Sequence, residues 1–365
     1  MENEFKSGVY QELQKLTLVV LSKGREKELN QVLNYWSKTP VYMVIIHDTQ
    51  NPLNPHLLNA NMVYINSSEK ILDRLSLCLS FVNTPYAMIA NDDEIFLIDP
   101  LIKFIDYLEH EKNIEAVGGQ VISYNWAGDK LLGNRIYPFL NNYYNTDLLP
   151  INRIKNTFET KNLMDVTLMY RTENFKIIVK SCKNFSKFST PVMYEVMFAI
   201  FSSFYCRSIR FPDVYWMRNW FTPFHQMEKW DRSLTWTAWC SNNIFDSEVT
   251  EWSKIFSSVL SKTKKLSNSQ IDSLIKFLLH WKAIGADKQI PRISMIYANF
   301  KNWLKLILPG SVIWRVKKII PFMRKKVMSD FDVLINGKNS DVQISSTDLE
   351  NFRAFAQAQR LLIKS

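Results

Sequence analysis

The sequence predicts an α/β protein built on a doubly wound, mainly parallel sheet, with a helical region added on its C-terminal side. Three observations carry this. Short apolar runs alternate with stretches of helical periodicity between Leu16 and Ser123. Those runs stop abruptly at polar or acidic residues, as strands do where they leave a sheet. The third is composition: 365 residues with 47% hydrophobic and 13% aromatic content can bury a sizeable core, which excludes a disordered chain.

Taken in order, Leu16–Leu21 (LTLVVL) reads as a buried strand entering the loop Ser22-Lys23-Gly24-Arg25. From Glu26 to Trp36, Leu29, Val32, Leu33 and Trp36 fall on one face of a helix. A second strand, Val41–Ile46, ends at His47-Asp48, and a third covers Met62–Ile65 after a Pro- and Asn-rich loop. Glu69–Val82 has helical periodicity through Ile71, Leu72, Leu75, Leu79 and Val82. The fourth strand is Tyr86–Ala90, the next helix Pro100–Glu111, and Ile114–Ser123 reads as a strand interrupted at Gly118-Gly119. Beyond Ser123 the alternation fades into aromatic- and Asn-rich chain. Helices dominate from Ser241 to about Gly285, and Ile293–Ser365 reads as an appended helical tail. The expected division is 1–240, with a nucleotide-binding half at 15–125 and an acceptor half at 126–240, followed by a helical region at 241–365.

Cys78, Cys182, Cys206 and Cys240 stand far apart with no Cys-x-x-Cys pair, so neither a disulfide framework nor a zinc site is expected, and a cytoplasmic location fits best. Residues 1–14 lack the apolar core of a signal peptide, and no window offers a membrane-spanning run. The formal charge of +10 calls for an anionic partner: nucleic acid, a membrane surface or a phosphorylated substrate.

Ala90-Asn91-Asp92-Asp93-Glu94 places three adjacent carboxylates at the end of the fourth strand. They read either as a solvated acidic turn leading into the helix at Asp99-Pro100, or as strand-end ligands for Mg²⁺ or Mn²⁺ carrying a diphosphate.

The order of these elements resembles the nucleotide-binding half of GT-A glycosyltransferases, family 2-like, over roughly residues 15–125. Leu16–Arg25 is similar to their opening strand and loop, Ile45-Ile46-His47-Asp48 to their second strand, and Ala90–Glu94 to their Asp-x-Asp region. The resemblance implies a Rossmann-like mixed sheet, a nucleotide-sugar donor, and Ser22, Arg25, Asp48 and Arg74 on that donor's side. It implies Asp92 as a metal ligand, with Asp93 and Glu94 as further or alternative ligands. The chain departs from the motif: aligned one way the first Asp becomes Ala90, aligned the other way the last becomes Glu94.

Glycosyl transfer needs the charge on a leaving diphosphate neutralised and, with inversion, a carboxylate to take the acceptor's proton. Glu195, a lone acid in an apolar helix-like stretch, is the candidate base, and Asp165 its rival. Against this, Glu195 reads equally as a helix residue paired to Arg207 or Arg210. Arg218 and His225, in an aromatic-rich segment, are candidates to close on the donor, Arg218 on the diphosphate and His225 on phosphate or metal. Arg218 reads equally as stacked on Trp216 or Trp220.

Eight Lys and Arg with no acid between them interleave with Trp and aliphatic residues over 301–326. This pattern suits the surface of an anionic membrane better than nucleic acid, for which no readout element is visible. The expected function is transfer of a sugar to a bacterial surface glycan (capsule, O-antigen or lipooligosaccharide type), free or lipid-linked. The competing readings are a nucleotidyl- or phosphotransferase using Mg-nucleotide, disfavoured by the Gly-poor loop 22–25, and a non-catalytic binding protein.

Overall fold

A computed structural model describes residues 10–51, 53, 56, 58–127, 129–137, 140–160, 164–188, 192–219, 236–281, 329–336, 342 and 344–364. The chain is α/β. In order, the elements of the first half are β1 (Leu16–Lys23), α1 (Glu26–Trp36), β2 (Tyr42–Asp48), β3 (Met62–Asn66), α2 (Ile71–Ser76), β4 (Tyr86–Ala90), β5 (Ile95–Phe96), α3 (Ile98–His110) and β6 (Ala116–Ala127). The second half adds β7 (Lys130–Ile136), β8 (Tyr144–Asn145), α4 (Pro150–Glu159), β9 (Met169–Arg171), α5 (Thr172–Lys183), α6 (Val192–Tyr205) and β10 (Ser208–Asn219). Then come α7 (Trp236–Ser241), α8 (Asp246–Thr263), α9 (Asn268–His280), β11 (Ser329–Asp330), α10 (Phe331–Asn336) and α11 (Ser346–Lys364).

The strands form one mixed sheet, in the order β11-β7-β6-β9-β4-β1-β2-β3, with β10 alongside β6. β3, β2, β1 and β4 are mutually parallel, while β9 runs antiparallel between β4 and β6. Because β1 is followed on one side by β2 and on the other by β4, the chain reverses direction of travel across the sheet at the β1/β4 pair. In open α/β sheets a crevice opens there, beyond the carboxyl ends of the strands.

Helices cover both faces, which explains why Leu18–Leu21 of β1 and the whole of β4 are apolar in succession rather than at alternate positions. Leu18, Val20, Met43, Ile45 and Met88 face the layer of α1, α3 and α11. Val19, Val44, Ile46, Ala87 and Ile89 face the layer of α2, α5, α6, α8 and α9. Successive side chains of a strand thus feed two separate cores.

Three expectations change. The helix expected over 69–82 is α2 followed by a 3-10 segment at Leu77–Ser80. β6 is continuous through Gly118 and Gly119: a Cβ on Gly119 would stand 2.4 Å from the Asp213 carbonyl oxygen, so glycine there admits close approach of β10 rather than ending the strand. The tail is not simply appended, since α11 buries Phe352, Phe355 and Ala356 in the α1/α3 layer. The basic stretch 301–326 lies outside the described residues. Among the described residues, no helix is long and apolar enough to cross a membrane.

Candidate active site

Parallel pairing brings the ends of β1, β2 and β4 to one edge, in register Lys23↔Asp48 and Val20↔Ala90. The turn out of β1 needs Gly24, at φ 57°, in a region that other residues rarely adopt; its N–H donates to the Asp48 carbonyl oxygen (3.1 Å). That turn delivers Arg25 toward the end of β4.

Asp92, Asp93 and Glu94 are all buried, so the solvated-turn reading of the cluster fails. Asp92 accepts from Ser22 Oγ (2.8 Å) and Arg25 Nη1 (3.0 Å), and Asp93 accepts from the same Arg25 Nη1 (2.9 Å). Glu94 accepts from the Trp216 indole N–H (2.7 Å) and from Asn91, with Arg218 Nε 3.2 Å from its other oxygen. Burial, and after it the Asp93 charge, pushes the Asp92 and Glu94 carboxyls upward; Arg25 and Arg218 respectively oppose this.

Arg74 is buried, lies on α2 and donates from Nη1 to the Ser22 carbonyl oxygen (2.8 Å), while its Nε has no hydrogen-bond partner. An orphaned guanidinium donor beside two strand ends is a feature that an anion would satisfy. Asp48 closes the edge, paired with Lys23 (2.6 Å). Ser22, Arg25, Asp48, Arg74, Asp92 and Asp93 therefore gather at one sheet edge.

Arg218 reaches the cluster from β10. Its Nη1 donates to the Tyr137 hydroxyl (2.6 Å) and its guanidinium lies 5.4 Å from the Trp216 ring centroid, so stacking and ion pairing occur together. Tyr137 stands just after β7 at φ 56°, a conformation a bulky residue holds only when its surroundings fix it. Glu195, in the first turn of α6, lies within electrostatic range of this same Arg218. Glu195 is exposed as a residue, yet partial desolvation by the surrounding protein raises its carboxyl pKa more than the Arg218 charge lowers it. Arg207 and Arg210 do not face it. Arg207 pairs with Glu115 (2.7 Å) and Arg210 with Asp165 (3.4 Å).

Asp165, the rival base, is almost wholly buried in that pair, with its neighbours in the core. It is a structural carboxylate. His225 lies outside the described residues.

Two residues escaped sequence reasoning. Gln359 on α11 donates from Nε2 to the Asp93 carbonyl oxygen (2.8 Å), while its Oε1 accepts from Tyr124 (2.6 Å) and Asn219 (2.9 Å). The signal was present: Gln359 continues the apolar stripe of Phe352, Phe355 and Ala356 at helical spacing, a polar residue in a core position. Tyr137 has no comparable signal. A cavity of about 440 Å³ between α3, β10 and Ile335, Val342, Ile344 and Ser345 lies apart from the carboxylates, and its Lys103–Asp213 pair (2.8 Å) is already closed.

Among the described residues, no three His, Cys, Asp or Glu side chains are grouped to hold a metal ion. Asp92 and Asp93 do converge on one cation position, which suits a hard ion that keeps several waters and takes further oxygens from a diphosphate.

No family model matches the chain, and no curated protein matches it. Among solved structures it is similar to residues 1–349 of S. aureus TarS, at TM-score 0.48 and 11% identity over 95% of this chain and 91% of that one. A longer S. aureus TarS structure is similar at TM-score 0.44 and 11% identity, over 94% of this chain and 55% of that one. A mannosyltransferase from Pyrobaculum calidifontis, in complex with GDP-Man and Mn²⁺, is similar at TM-score 0.39 and 10% identity, over 85% and 82%. At these values the likenesses carry no weight of their own in assigning the site.

Proposed function

We propose that the chain is an inverting GT-A-like glycosyltransferase that moves a sugar from a nucleotide diphosphate donor to a surface glycan acceptor. One observation carries the reading: buried carboxylates and three guanidinium groups gather at and beside the β1/β4 switch point, with the Glu195 carboxylate within electrostatic range of one of those guanidiniums. An anionic leaving group requires such cations, and proton abstraction requires such a carboxylate.

In this reading Asp48 and Ser22 flank the nucleoside, and Arg74 and Arg218 meet the diphosphate. Glu195 accepts the proton of the acceptor hydroxyl as that oxygen attacks the anomeric carbon from the face opposite the leaving group. A divalent ion held by Asp92 and Asp93 would neutralise diphosphate charge.

A thermal-shift screen against UDP-, GDP-, CMP- and dTDP-sugars, with and without Mn²⁺ or Mg²⁺, tests the donor site. One nucleotide class should raise the melting temperature by mass action, and Asp92→Ala should abolish that rise. A folded sample that responds to none of them refutes the reading.

We also propose that 301–326 holds the protein peripherally on an anionic membrane bearing a lipid-linked acceptor, on the strength of its eight Lys and Arg with no acid between them. Co-sedimentation with anionic vesicles should be lost when 301–326 is deleted. Unchanged co-sedimentation would overturn this part alone.

A further inference from the structure

The acidic pair at the end of β4 already holds a cation, and it belongs to the chain. A single nitrogen, Arg25 Nη1, lies 3.0 Å from Asp92 Oδ1 and 2.9 Å from Asp93 Oδ2. The second oxygen of Asp92 is fixed by Ser22, so Oδ1 has no freedom to turn elsewhere without losing that bond. Both carboxylates are buried, where two adjacent negative charges with no counter-cation are costly.

A divalent ion serving this pair would sit about 2.0–2.6 Å from each oxygen, in the space the guanidinium nitrogen fills. Two cations cannot share that space. Arg25 is the more accessible partner: its side chain is 21% exposed against 9% and 10% for Asp92 and Asp93, and it follows the Gly24 turn as the N-cap of α1.

We propose that Arg25 is the resident counter-cation of the Asp92–Asp93 pair, and that it and a divalent metal exclude one another at a single position. The free protein is therefore a poor metal binder. Metal enters only as Arg25 leaves, and a metal-bound diphosphate arriving at the site supplies the anion to which the displaced guanidinium moves. The geometry stands without the glycosyltransferase reading; the coupling to a diphosphate rests on it.

The test is Mn²⁺ binding to the full chain without any nucleotide, followed by electron paramagnetic resonance of the free ion. Arg25→Ala should bind Mn²⁺ at least tenfold more tightly than the unaltered protein, and Arg25→Ala with Asp92→Asn should lose that gain. Arg25→Gln, which keeps the side-chain length and removes the charge, should move in the same direction and serves if Arg25→Ala does not fold. Equal affinity with and without the Arg25 charge overturns the proposal, as does tight binding that survives Asp92→Asn. Sugar-nucleotide thermal shifts measured in parallel separate the two ideas. A shift with no effect of Arg25 on Mn²⁺ refutes this proposal alone, whereas the expected Mn²⁺ ranking with no shift refutes the donor-site reading alone.

Discussion

Ending the chain at Ser345, and so removing α11, is expected to abolish cooperative folding or lower the melting temperature by about 5–10 degrees. Phe352 and Phe355 are buried against Tyr124, Phe331 and Tyr35, and burying a side chain of that size contributes about 1.5–3 kcal/mol. Asp348 caps α3 from outside, accepting from the N–H groups of Ile98 (2.8 Å) and Asp99 (3.0 Å); losing a helix cap costs about 1 kcal/mol. Together these amount to about 4–7 kcal/mol, a large part of the 5–15 typical of a domain. Gln359→Leu isolates the link to the site. It leaves the buried Asp93 carbonyl and Tyr124 hydroxyl without this partner, at about 1–3 kcal/mol each, and takes one bond from the half-buried Asn219. The loop bearing Asp92 and Asp93 loses its tether at the same time. Urea denaturation should show the loss of stability, and any nucleotide-induced thermal shift should shrink. A Gln359→Leu protein as stable as the original would mean that α11 only covers the core.

That helix also marks where the sequence stops being legible. β1, β2 and β4 announce themselves because both faces are buried, so their apolar runs are unbroken and their polar ends mark the sheet edge. The acidic cluster at Asp92 was singled out on that basis, whereas Arg25 and Arg74 were named only because the resemblance implied them; the structure places all three at the same sheet edge. What is not written locally is which of them touch. Arg25 lies 67 residues from Asp92, Glu94 lies 122 from Trp216, and Gln359 lies 266 from Asp93. Pairings of that span are set by the crossover of strands, not by any window of residues. For the same reason the expected partners of Glu195 were misplaced: Arg207 and Arg210 are near in sequence, but each is held by an acid from another element, Glu115 and Asp165.

Glu195→Gln is expected to lower the transfer rate by about 10²–10⁴, the usual contribution of a positioned general base, while leaving sugar-nucleotide binding in place. A general base works only when ionised, so with Glu195 in the proposed role the rate should rise with pH through its folded pKa. Partial desolvation by the protein packed around this otherwise exposed residue sets that pKa above the ordinary carboxylate value, and the Arg218 charge restrains it. Arg218→Gln removes the restraint, so the rising limb should move to higher pH; in Glu195→Gln the limb should vanish. Asp165→Asn supplies the contrast, because it breaks a buried pair with Arg210 and should cost about 3–5 kcal/mol of stability with no change in the limb of whatever folds. A rising limb that survives Glu195→Gln would assign proton transfer to another group. Glu94 would be the first to examine, since its carboxyl is also raised and it shares Arg218 with Glu195.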